Sequence, residues 1–160
     1  MVKKRLTQLN VSSDEEIADD CFEKIIECIK NRDKEKLKDM FSVNVVEEAK
    51  NIDSSIDYLI NFYKGEIQSK DVALQVSDHN DSGEKTSEIK AFYTVETDED
   101  TYIVFFIDKT VDIKDPNNVG LYMLQIIKES DRETQFDWGG SKTRCAGIYM
   151  PDFEKQQVTE

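Results

Sequence analysis

The chain has 160 residues, with 21 Lys and Arg against 34 Asp and Glu, a formal charge of −13. That balance argues against nucleic acid, whose phosphates are bound by basic side chains that release counterions, and against an anionic membrane surface. No apolar run approaches the roughly 20 residues of a membrane-spanning helix.

Residues 1–12 read as a flexible lead-in. Met1–Arg5 is basic, but no apolar stretch follows it. That leaves a cytoplasmic protein or one written from after a removed export signal. Ser13 then opens a helix, with Glu16 at capping-box spacing. Ile17, Cys21, Ile25, Cys28 and Ile29 recur on one face. Cys21 and Cys28 are seven apart, a rise of roughly 10.5 Å on a helix, too far for a disulfide. At most one of them can pair with Cys145, and buried thiols are the simpler expectation.

Asp33 is placed to cap a second, shorter helix with Leu37, Met40 and Phe41 on its apolar side. A third spans Val45 to Ala49. A fourth runs from Asp53 to Tyr63, buries Ile56, Leu59 and Ile60, and ends before Gly65. The period then changes. Residues 66–77 alternate weakly, and His79 to Thr86 reads as a polar loop. Glu88–Thr97, Thr101–Val111 and Val119–Lys128 read as strands, separated by acidic and Asp-Pro-Asn-Asn turns. Phe136 to Pro151, with Trp138, should form an irregular closing segment, and 152–160 a mobile tail. The class is therefore α+β, with residues 13–151 as one domain whose N-terminal helices pack on a curved antiparallel sheet of about four strands.

The third strand is apolar on both faces: Ile103, Phe105 and Ile107 on one, Tyr102, Val104 and Phe106 on the other. A sheet with helices on one side needs only one apolar face. The second must meet the C-terminal segment, a second copy of the chain, or another partner. Asp108 follows on this strand and is the single candidate for a buried catalytic acid. Asp78, Asn80, Ser82 and Gly83 open like a calcium loop, but position twelve is Ile89 instead of a bidentate Glu. His79 has no partner His, so no metal is expected, and no cofactor motif occurs. Residues 66–100 hold ten acids against three lysines, a solvated face or one that steers toward a basic partner.

The ordered segments IADDCFEKIIECIKNRDKEKLKDMF, SIDYLINFYKGEI, YTVETDEDTYIVFFIDKTVD, DPNNVGLYMLQIIKESDRETQF and AGIYMP resemble a family of uncharacterised small bacterial lipoproteins. The helices-then-sheet order resembles the cystatin-like cone of the nuclear-transport-factor-2-like and ketosteroid-isomerase-like superfamily. The resemblance implies an exported, lipid-anchored precursor at the cell surface, although this sequence carries neither the signal nor the lipobox cysteine. It implies no established activity, and a fold does not confer chemistry. The leading expectation is a non-catalytic binding module. It would hold a small apolar ligand among Phe92, Tyr93, Phe105, Tyr122 and Trp138, or a homodimer or protein partner through the sheet. The alternatives are an isomerase- or hydrolase-like enzyme using the acid, and an acidic interaction or immunity-type protein.

Overall fold

The computed structural model describes residues 13–151; the expected lead-in and tail lie outside the described residues. Four helices come first: α1 (Asp14–Lys30), α2 (Lys34–Met40), α3 (Val43–Glu48) and α4 (Ile52–Phe62). The Ser13 side chain accepts from the Glu16 N–H and Glu16 reaches back to the Ser13 N–H, so the capping box forms. Asp33 caps α2 by accepting from the Lys36 N–H, and Ser42 caps α3 by accepting from the Val45 N–H.

The second half forms β1 (Ile67–Asp81), β2 (Glu84–Thr97), β3 (Thr101–Asp112), β4 (Gly120–Lys128) and β5 (Gly147–Ile148), with α5 (Arg132–Gln135) between the last two. The sheet order is β1-β2-β3-β4-β5. The first four strands are antiparallel neighbours, but β5 pairs parallel to β4 through Met123–Gly147 and Leu124–Ile148. The expectation of four antiparallel strands is thus corrected to five in an open, mixed sheet. The closing segment returns along β4 after its α5 turn and adds two parallel residues at that edge.

The expected polar loop at His79–Thr86 is also corrected. β1 and β2 stay paired out to Asp81 and Glu84, and only Ser82 and Gly83 turn, both at positive φ. Two such residues suit a two-residue hairpin whose twist matches the strands. The calcium-like spacing therefore lies on a hairpin tip, where Asn80 accepts from the Gly83 N–H.

Two apolar clusters flank the sheet. On the helix side, Phe22 of α1 stacks on Tyr93 of β2 with centroids 4.2 Å apart, and Tyr102 of β3 lies 4.9 Å from Tyr63. The Tyr102 hydroxyl accepts from the Lys64 N–H at 3.1 Å and donates to the Phe62 carbonyl at 3.3 Å, which fastens the end of α4 to β3. On the other side, Phe92, Ile103, Phe105, Ile107, Met123 and Ile127 are buried beneath Phe136, Trp138, Cys145 and Tyr149. Cys28 and Cys145 are unbridged thiols.

Gly65 carries the chain from α4 into β1 at φ +97°, where an added Cβ would sit 2.6 Å from Thr97 Oγ1 and 2.9 Å from Thr97 Cβ. Thr97 cannot withdraw, because its hydroxyl donates to the Lys64 carbonyl and accepts from the Asp100 N–H. Gly65→Ala should therefore destabilise the protein by about 1–3 kcal/mol. A lowered urea midpoint at unchanged slope is the readout; an unchanged midpoint would contradict this packing.

Candidate interaction surface

Side chains alternate across a strand, and that alternation separates the residues expected to share a pocket. Tyr93 faces the helices, fully buried; its hydroxyl donates to Asp19 Oδ1 of α1 at 2.6 Å. Phe92 and Phe105 face the opposite side and meet Trp138 at centroid distances of 5.4 and 5.9 Å. Phe136, which is not among the expected ligand residues, completes the group at 4.9 Å from Phe92, 5.0 Å from Phe105 and 5.7 Å from Trp138. These rings occupy one another's contact space. The second apolar face of β3 is thus met by the C-terminal segment of the same chain.

Tyr122 falls at a bulge. Ile107 pairs with Met123 and Asp108 with Leu121, so Tyr122 has no opposite residue. It is half-buried, with Lys109 Nζ and Arg144 Cζ each 4.7 Å from its ring centroid. Asp108 is 4% exposed and sits between Ile89 and Leu121, both members of the helix-side core. Phe92, Phe105 and Trp138 are on the other side of the sheet, so the acid and these aromatics do not converge. Among the described residues no three His, Cys, Asp or Glu side chains gather as a metal site.

The closing segment is held by polar contacts beneath and beside the rings. Gln125 is wholly buried opposite Phe105, and its Nε2 donates to the Gln135 carbonyl at 2.6 Å. Its Oε1 has no hydrogen-bond partner among the described residues. Lys90 Nζ donates to the Trp138 carbonyl at 3.0 Å. Asp137 accepts from the Gly140 N–H, the Lys142 N–H and the Thr143 hydroxyl, which folds the Trp138-Gly139 turn back on itself. Partial burial pushes the Asp137 carboxyl up, but these donors outweigh it and hold it below the ordinary carboxylate value.

What remains open lies at the other end of the sheet. β1 pairs with β2 alone among the described residues, and 13 of its 15 residues are exposed. Val72 and Leu74 lean partly on the helix-side core, whereas Ile67 and Val76 are 38% and 41% exposed. An open groove of about 740 Å³ runs between the second half of α1 and the start of β1, lined by Glu23, Ile26, Glu27, Lys30, Ile67 and Lys70 among others. None of the expected ligand residues, nor Asp108, lines it. Sequence reasoning missed this surface, because a strand's place at the edge is a property of sheet order.

Two outcomes follow, one for Asp137 and one for the buried phenols and thiols. Asp137→Ala should cost about 1–3 kcal/mol, the range for losing hydrogen bonds to a charged acceptor, and shift Trp138 fluorescence to the red as the turn opens. An unshifted spectrum would show that Asp137 does not hold the ring down. Burial pushes the Tyr63 phenol up to about 12 and the Cys145 thiol up to about 11, and raises Tyr93, Tyr58 and Cys28 as well. These groups are neutral in the fold and ionise sooner once unfolded, near 9.0 for the thiols and 10.0 for the phenols. Stability should therefore hold below that range and fall as pH rises from about 9 to 12. A urea midpoint that stays flat across this window would contradict it.

No curated protein matches the chain. A family model described as a domain of unknown function, DUF5104, matches residues 24–129, from the middle of α1 to just past the end of β4. That span takes in the second part of α1, α2 to α4, the four long strands and the exposed β1 edge, and the chain belongs to the DUF5104 family.

Proposed function

We propose that this chain is a non-catalytic binding module of a bacterial surface lipoprotein, and that it engages extended polypeptide along β1. One observation carries the reading: a 15-residue strand that, among the described residues, is paired on one side only and exposed over most of its length. Backbone N–H and C=O groups along such an edge are a template for an added strand. β1 contains no proline, and its centre, Val72–Val76, bears no charge, so the usual edge blockers are missing there.

Three further observations support a polypeptide over a small apolar ligand. Phe92, Phe105 and Trp138 are already packed on one another and on Phe136. Tyr93 is committed to Phe22 and Asp19 on the other face. The groove beside α1 is open and mixed in character, with Ile26 and Ile67 among Glu23, Glu27, Lys30 and Lys70 next to the start of β1, which suits the flank of a bound strand. The surface location rests on the lipoprotein resemblance. No described helix is long and apolar enough to cross a membrane.

Native mass spectrometry of the protein purified from its own host tests this. The expected spectrum shows added polypeptide mass that is lost in Leu74→Lys, which sets a charge in the middle of the edge. A retained small-molecule adduct, or bare monomer in both forms, would overturn the reading.

A further inference from the structure

We propose that the polypeptide β1 takes is β1 of a second copy, paired antiparallel about a two-fold axis through Leu74. The inference rests on the edge reading above and adds the partner and the register.

The helix-facing row of β1 runs Lys70, Val72, Leu74, Val76, Asp78, since these residues pair with Val95, Tyr93, Ala91, Ile89 and Ser87 of β2. The row is self-complementary when reversed. With Leu74 opposite Leu74 of the second copy, Val72 meets Val76 and Lys70 meets Asp78, each twice by symmetry. On the other row Ala73 meets Gln75, Asp71 meets Ser77 and Ser69 meets His79. No like charges are opposed. Cross-strand apolar pairs and opposite charges stabilise a pair of strands, and like charges destabilise it.

Neighbouring registers lose this match. A two-residue shift one way sets Lys70 against Val76; the other way it sets Val72 against Asp78. A one-residue slip puts the helix-facing row of one copy against the opposite row of the other. β1 is regular where it matters, with unbroken pairing to β2 from Ser69 to Asp81. Ser87 Oγ donates to Asp78 Oδ1 at 2.5 Å, and Lys70 Nζ stands 4.9 Å from the Phe22 ring centroid, so both end charges are already oriented within their own chain. Two copies carrying −13 each repel at long range. Screening over roughly 8 Å at 0.15 M salt removes most of that repulsion, so association strengthens as salt rises from low values.

The test is a charge exchange read by analytical ultracentrifugation up to roughly 100 µM, where weak transient pairs still populate. Wild type should dimerise. Lys70→Asp alone sets Asp against Asp at both ends, and Asp78→Lys alone sets Lys against Lys. Each should weaken self-association by roughly tenfold or more. Mixing the two variants restores both opposite-charge pairs, so the mixture should dimerise as heterodimer at close to wild-type affinity. Leu74→Cys should form a symmetric intersubunit disulfide on mild oxidation, and Val72→Cys, which faces Val76, should not. A wild type that stays monomeric overturns self-pairing, and the edge reading is then judged by foreign polypeptide in the host-purified measurement. A dimer unaffected by the charge variants, or one whose mixture fails to recover, also overturns the proposed register.

Discussion

Six consecutive apolar residues, Tyr102 to Ile107, run through the middle of the sheet, and none is more than 2% exposed. A strand alternates its side chains, so such a run demands cover on two sides at once. Helices supply one cover. The other has to come from a segment that the chain reaches only after the sheet is built. The rest of the architecture follows from meeting both demands within one polypeptide.

On the helix side the solution is aromatic stacking with a polar tether. Phe22 lies flat on Tyr93, and Asp19 one turn earlier receives the Tyr93 hydroxyl, so α1 is fixed in both position and rotation over β2. On the far side the solution is a short run with little regular structure. Phe136 and Trp138 fill the hollow over Phe92 and Phe105, and Asp137 between them bends the backbone so that both rings point inward. Phe92, Phe105 and Trp138, three of the rings that suggest a ligand cavity, here pack on one another and on Phe136. Arg132 over Phe92 and Arg144 over Tyr122 extend the same cover with their guanidinium groups, whose Cζ atoms stand 4.9 and 4.7 Å from the ring centroids.

Much of this is legible in the residues. The Ser13–Glu16 box, the Asp33 cap and the two-faced run of β3 are local signals, and each is realised. The alternation rule alone separates Phe92 from Tyr93, because adjacent strand residues cannot line one cavity. Three features resist such reading. Asp78 to Gly83 has the composition of a loop, yet ladder pairing with β2 extends the strand through all but two of those residues. β5 is two residues long and exists only because the closing segment passes beside β4. The exposed edge depends on which strand ends the sheet, and no stretch of β1 encodes its own neighbours.

The two margins of the sheet are unequal. Among the described residues, one is a long strand open along its length; the other is a two-residue stub lying against the last long strand. A plate that can be joined along only one side has a natural stopping point. Once that side is used, the described residues offer a third molecule no second free strand of that length, which disfavours growth into fibres. The brevity of the stub is what would make assembly finite.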